Sequence, residues 1–243
     1  MSQTIYSFFQ NFFDGETNIV FLLAFILFLA SLSLKNIDYE YRPIDLFSEE
    51  SKVSIFQFTL RIPRFCQNDP EFVKHNPAKK VPTLVINGLS LTESLAIIEY
   101  LDEAFPDPPF LPKELDQRAY SRAIALHIVS SIQPLQAISI HKMLNEKEKR
   151  YGDFWCNHFV NRGFKALEEL LIKYSGKYCV GNQLTIADIN LPSIIYNAKI
   201  YNVDMTQYPT IVRIGETLNE HPKFKPAHPD LQPDAPKTTK ADM

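Results

Sequence analysis

Three cysteines, Cys66, Cys156 and Cys179, are too few and too irregularly spaced for a disulfide framework or a zinc site. They point instead to a reducing, cytoplasmic setting. A basic excess is missing too: 25 Lys and Arg face 28 Asp and Glu, for a formal net charge of −3. Nucleic-acid binding needs a basic face, so that class of function is set aside. Six histidines are scattered without HExxH or a similar cluster, so no metal is expected. Residues 1–17 hold Asp14 and Glu16 but no Lys or Arg, and a signal peptide wants a basic start. What remains is an ordinary globular composition in 243 residues, enough for one large domain or two small ones.

One long apolar run interrupts that picture. Residues 18–34, NIVFLLAFILFLASLSL, carry no charge, and the basic residues Lys35, Arg42 and Lys52 follow it. Its apolar core is slightly shorter than the roughly 18–20 residues that span a bilayer.

Elsewhere the periodicities separate two halves. Residues 3–7 and the alternating DYEYRPID of 38–45 read as strands, and 71–76 as a helical turn stopped by Pro77. Residues 83–86 and 89–91 flank Asn87-Gly88, the strongest short hairpin signal. Residues 94–104 then place Leu95, Ile98 and Leu101 at helical spacing. The first half therefore runs βαβ, hairpin, helix. FPDPPFLP at 105–112 has four prolines, which fix φ and remove donors, and marks a linker over 105–115.

Beyond the linker, strands almost vanish. Helical patterns cover 115–132, 153–173 and 210–219, with Pro134 bending or ending the first. In the second, Trp155, Phe159, Ala166 and Leu170 define the expected core stripe. QLTIADINL at 183–191 carries a helix-start signature, with Thr185 as N-cap, Asp188 as the N3 acid, and Leu184 and Ile189 as a staple. Residues 228–243 read as a flexible, proline-rich tail.

The stretch KKVPTLVINGLSLTESLAIIEYL, 79–101, carries the chemistry. Pro82 cannot donate to a ladder, so it belongs at a strand start, and X-Pro is the usual place for a cis peptide. A cis Val81–Pro82 bond would leave the main chain of Val81 outward and unpaired, ready to accept an extended peptide as an added strand. Glu93-Ser94 falls at a helix N-terminus. Free N–H groups, the helix dipole and the Ser94 hydroxyl would take a carboxylate there, and the Glu93 carboxylate would take an ammonium. Together they suit a short peptide with a free amino-acid end, such as glutathione. The plainer reading is a strand start and an ordinary N-cap.

With an all-helical second half, these residues resemble the cytosolic glutathione transferases, most closely the zeta class. VPTLVING, TESLAIIEYLDE, SIQPLQ (131–136), YCVGNQLTIADI (178–189) and VDMTQYPTI (203–211) carry the resemblance, which spans 34–236 apart from 53–66. It implies a fold that is α/β plus all-α: a thioredoxin-like N-terminal domain over 1–104 and an all-helical bundle over 116–227. It implies glutathione as cofactor, held by Val81, Glu93 and Ser94, with Gln67 as a further polar contact and Gln133 and Ser139 reaching in across the domain cleft. For Gln133 and Ser139 the plainer reading is helix-surface polarity. The resemblance also implies a homodimer and a small anionic substrate, without nucleic acid or membrane.

That class opens its first helix with Ser-Ser-Cys, followed by an arginine. A hydroxyl at a helix N-terminus lowers a thiol pKa, and a thiolate is the nucleophile that cis–trans isomerisation needs. The motif is missing here. Counted forward from Tyr6-Ser7 it falls near Asn11, Phe12 and Phe13. Counted back from LKNIDYE it falls near Leu22, Leu23 and Ala24. Ser7 is the nearest candidate thiol donor. Three readings of the apolar run compete: a membrane anchor, a core helix of a non-catalytic relative, or foreign text over 8–30 and 53–66. The third is favoured, because both stretches fall where the pattern breaks and the pattern resumes after each.

Cys156 and Cys179 read as buried apolar residues, and His75, His127 and His141 as surface or satisfied core positions. The expected activity is isomerisation of maleylacetoacetate in tyrosine and phenylalanine breakdown, with possible transfer to α-halo acids. The alternative is a glutathione-binding protein without turnover.

Overall fold

A parallel pair starts the sheet. Strands β1 (Thr4–Ser7) and β2 (Glu40–Asp45) run side by side, with Thr4 opposite Glu40 and Ser7 opposite Pro43. Parallel neighbours need a crossover, and helix α1 (Leu23–Lys35) supplies it. The computed structural model describes residues 4–7, 23–45, 65–66 and 68–228. Strand β3 (Phe65–Cys66) extends β2 in parallel, and helix α2 (Pro70–His75) follows, capped by the Asp69 side chain on Glu71 N at 2.8 Å. The chain then reverses into β4 (Thr83–Ile86) and β5 (Leu89–Thr92), giving the mixed order β3-β2-β1-β4-β5. Asn87 and Gly88 both have positive φ, 50° and 81°, as a two-residue hairpin turn requires. Helix α3 (Ser94–Ala104) closes this βαβ-hairpin-helix arrangement, which is thioredoxin-like.

The apolar run finds a place in this unit. From Leu23 onward it is α1, in which Leu27, Phe28, Leu29, Ala30, Leu32 and Leu34 are buried. Ser31 is buried as well, and its hydroxyl donates to Phe28 O at 2.6 Å. A helix of 13 residues rises only about 20 Å, short of a hydrocarbon core of roughly 30 Å. Residues 23–30 of the suspected insert 8–30 thus form the first part of a core helix. The rest of that stretch, and 53–64, lie outside the described residues.

The described chain forms two compact units, and the division falls within α3, between Ile97 and Ile98. The proline-rich stretch 105–115 is not a free linker. Phe110 and Leu111 are buried in the second unit, where Phe110 N donates to Asp102 Oδ1 at 2.7 Å and Phe110 O accepts from Ile186 N at 2.9 Å.

The second unit is a helical bundle. Helix α4 (Leu115–Leu126) runs into a π-helical turn (His127–Ile132) and a 3₁₀ turn (Gln133–Gln136), so the expected single helix over 115–132 changes pitch before Pro134. Helices α5 (Ile138–Lys147), α6 (Tyr151–Tyr174), α7 (Ile186–Ile200) and α8 (Pro209–Glu220) complete it. Leu115–Lys147 is apolar and long enough in composition for a membrane span, but it comprises these four short elements rather than one helix. The stripe expected on α6 is displaced. The buried positions are Gly152, Cys156, Val160, Gly163, Phe164, Leu167, Glu168 and Leu171, while Trp155, Phe159 and Leu170 are half-buried and Ala166 is exposed. A Cβ on Gly163 would collide with the Ile132 side chain, so this glycine sets how closely α6 approaches the π turn.

Two buried carboxylates close helix ends. Asp188 accepts from Thr185 N (2.8 Å), Thr185 Oγ1 (2.9 Å) and Cys179 N (2.7 Å), completing the expected capping box on α7. Glu168 on α6 accepts from Thr210 N (2.7 Å) and Ile211 N (3.0 Å), capping α8 from another helix. Asp188→Ala leaves three buried donors unpartnered, which predicts a loss of about 3 kcal/mol or more in a denaturant melt. A variant as stable as the parent would contradict this role.

Candidate functional site at the end of the hairpin

Strand register brings the chemistry of the first unit to one end of the sheet. Thr83 pairs with Thr92 across the hairpin and with Tyr6 across β1. The residues before Thr83, after Thr92 and after Tyr6 therefore lie together: Val81-Pro82, Glu93-Ser94 and Ser7. The Val81–Pro82 bond is cis, as expected.

Asn76 shapes the loop that leads there. It is buried at the C-terminus of α2. Its Nδ2 donates to Lys80 O and to Thr83 Oγ1 (3.0 Å), while its Oδ1 accepts from Ala78 N (3.0 Å). One side chain thus ties both ends of the turn. Val81 is half-buried, and among the described residues its backbone makes no hydrogen bond. Its peptide groups stay available to a ligand.

Glu93 is the unusual residue of the site. Its φ is +67°, in the left-handed region, which costs a residue with a Cβ about 1–2 kcal/mol. Glu93 O accepts from Ile97 N at 3.0 Å, so Glu93 is the N-cap of α3. The N–H groups of Ser94, Leu95 and Ala96 have no acceptor among the described residues. Glu93 is exposed and Ser94 half-buried, and neither side chain has a described hydrogen-bond partner. Strained backbone of this kind collects at ligand clamps. The arrangement can hold a carboxylate on the helix end and an ammonium on Glu93.

The remaining expected residues divide as follows. Ser7 ends β1 and faces Pro43 in the register. Helix α1 is described from Leu23, and its first described residues, Leu23, Ala24 and Phe25, include no hydroxyl, thiol or guanidinium. Gln67 lies outside the described residues. Gln133 and Ser139 belong to the second unit. Gln133 is half-buried and its Nε2 donates to Ser193 Oγ at 3.3 Å, while Ser139 is exposed on α5.

The other candidates are occupied or inert. Cys156 and Cys179 are buried free thiols. Burial is the main cause that raises Cys156 to about 11, with the nearby Tyr201 hydroxyl opposing it and Asp153 adding to it. Burial likewise holds Cys179 well above the ordinary thiol range. His75 pairs with Ser90 Oγ (2.8 Å), His127 with Gly163 O (3.0 Å), and buried His141 with Asp153 Oδ1 (2.7 Å). Sequence reading missed Asn76, whose signal was only an Asn before Pro77. It also missed the left-handed Glu93, which has no sequence signal because Glu rarely adopts that conformation.

Comparison with known proteins then places the molecule. The family description "Glutathione S-transferase, N-terminal domain" matches residues 28–109, and "Glutathione S-transferase, C-terminal domain" matches 133–226. A probable maleylacetoacetate isomerase of Caenorhabditis elegans is 48% identical over 204 residues, covering 84% of this chain and 87% of that protein. The chain belongs to the zeta class of glutathione transferases. A solved maleylacetoacetate isomerase of Anaeromyxobacter dehalogenans, with glutathione bound in its active site, superposes with TM-score 0.77. It is 32% identical and covers 97% of this chain and 98% of that one. A maleylpyruvate isomerase described as a bacterial zeta-class glutathione S-transferase superposes with TM-score 0.80 at 28% identity, covering 96% and 100%. Neither Cys156 nor Cys179 stands in a reactive setting. Alkylation of Cys156 and Cys179 at pH 8 should be at least about tenfold slower in the native protein than in urea. Equal rates would contradict their burial.

Proposed function

We propose that this chain binds glutathione at the hairpin end and isomerises maleylacetoacetate to fumarylacetoacetate. One observation carries the reading: the shared register brings the Val81 main chain, which has no hydrogen bond among the described residues, beside the α3 N-terminus and the strained Glu93. Val81 would pair with the cysteinyl amide as an added strand. The N–H groups of Ser94, Leu95 and Ala96, with the Ser94 hydroxyl, would hold the γ-glutamyl carboxylate, and Glu93 its ammonium. Gln67 is a further proposed polar contact. When bound, glutathione supplies a thiolate that adds reversibly to the cis double bond, so that rotation can occur and the cofactor returns unconsumed. The names and ligands of the relatives support this assignment, as does the fit of a zwitterionic peptide end to the donors and acceptors described. The same reading makes the chain a cytoplasmic homodimer in tyrosine and phenylalanine breakdown, with transfer to small α-halo acids as a side activity. These finer points rest on the resemblance.

A second reading has its own observation. The first described residues of α1 are Leu23, Ala24 and Phe25, residue types that cannot lower a thiol pKa. On this reading the protein binds glutathione without turnover, and Ser7, at the same sheet end, is the one remaining hydroxyl candidate. Transcript reads joining Tyr6-Ser7 directly to a Ser-Ser-Cys segment would restore the enzyme and make 8–30 inserted text.

Calorimetric titration with reduced glutathione, paired with an assay of maleylacetoacetate loss, tests both. Saturable uptake is expected, weakened about tenfold by Glu93→Gln and three- to tenfold by Ser94→Ala. Glu93→Gly should weaken binding yet keep or raise the thermal midpoint, because glycine removes the left-handed strain. Unchanged affinity in these variants would overturn the site. Uptake without turnover would select the second reading.

A further inference from the structure

Asn76, Lys80 and Thr83 close a ring of hydrogen bonds on the inner side of the loop before β4. The Asn76 and Thr83 side chains are both buried. Ala78 N donates to Asn76 Oδ1 at 3.0 Å, which fixes the amide with its NH₂ group facing the other way. That group donates to Lys80 O and to Thr83 Oγ1, the latter at 3.0 Å. The Thr83 hydroxyl in turn donates to Lys80 O at 3.3 Å. Lys80 O thus accepts twice. The sheet makes no use of this hydroxyl, because Thr83 pairs with Thr92 and Tyr6 through its main chain.

The consequence appears at the other end of the same peptide group. Among the described residues the cis bonds are Val81–Pro82 and Asp107–Pro108, so the Lys80–Val81 bond is trans. A trans peptide is planar, and its C=O and N–H point in opposite directions. Holding Lys80 O toward two buried side chains therefore turns the Val81 N–H away from them. That N–H has no acceptor among the described residues. An N–H presented in this way at a strand entrance suits the carbonyl oxygen of an added extended chain.

We infer that Asn76 and Thr83 are positioning residues for the ligand: by holding the Lys80 carbonyl they aim the Val81 N–H at the cysteinyl carbonyl of the bound peptide. The inference rests on the proposed glutathione reading. Both residues act through the Lys80–Val81 peptide and neither touches the ligand.

The test compares two ligands on the full chain by calorimetry. γ-Glutamylcysteinamide offers a cysteinyl carbonyl, and γ-glutamylcysteamine lacks that carboxamide. The unchanged chain should bind the first about five- to tenfold tighter. Asn76→Asp keeps the acceptor for Ala78 N but loses both donors. It should bring the ratio below about twofold while leaving affinity for γ-glutamylcysteamine within about threefold. A merely structural Asn76 would weaken both ligands alike and leave the ratio unmoved, and that result overturns the inference, as does a ratio near one in the unchanged chain. If Asn76→Asp does not fold, Thr83→Val takes its place with the same fall expected. Thr83→Ser, which restores the hydroxyl, should restore the ratio, and a ratio as low as that of Thr83→Val also overturns the inference. Absence of reduced glutathione uptake by the unchanged chain would remove the glutathione reading itself, a different result from uptake with an unmoved ratio.

Discussion

The pairing of Thr83 with Thr92 governs the first unit. It follows from a two-residue turn at Asn87-Gly88, whose backbone twist matches that of the strands. A one-residue slip would turn Leu84 and Ile86 out of the core, where both are buried. Core packing and turn geometry therefore enforce the same register, and that register decides what stands at the sheet end. Val81-Pro82 before β4 and Glu93-Ser94 after β5 meet because the strands between them are in step. The proposed glutathione contacts are thus positioned by hydrophobic burial a few residues away. Asn76 adds the local correction, tying the loop before Pro82 to Lys80 and Thr83.

The second unit achieves rigidity through buried polar partners as well as apolar packing. Asp188 and Glu168 each satisfy orphan donors at a helix start, where an unpaired N–H would be costly. Burial raises the pKa of Asp188, and the N–H groups of Cys179 and Thr185 oppose that shift. The 3₁₀ turn is held by Trp155 of α6 and Asn197 of α7, and the π turn by its own His127 on Gly163 O and by the close approach at Gly163. By contrast the Arg122–Glu99 pair, 2.7 Å apart but substantially exposed, adds little because solvent screens it.

Local chemistry was legible in the sequence wherever it was self-contained. The Asn-Gly hairpin, the Thr185/Asp188 cap and the Ser94 helix start depend on neighbours within a few residues, and each stands where the pattern put it. Tertiary choices were not legible. The α6 stripe lies beside the expected one because Gly163 and Phe164, rather than Trp155 and Phe159, face the bundle. The prolines at 105–112 suggested a linker, whereas Phe110 is buried and hydrogen-bonded to α3 and α7. An uncharged run reads alike as membrane span, core helix or foreign text, and only packing shows that the part from Leu27 to Leu34 is buried within a helix of the first unit. At the site, residue types and order suggested a peptide clamp, but the left-handed Glu93 and the Asn76 tie depend on backbone geometry that residue types alone do not reveal.

A structure of the chain determined with reduced glutathione tests the central claim most directly. The account predicts that the cysteinyl amide hydrogen-bonds the main chain of Val81, with the γ-glutamyl carboxylate on the N–H groups at Ser94 and its ammonium on Glu93. Glutathione seated anywhere else, with the Ser94 N–H and the Glu93 carboxylate left to solvent, would contradict it.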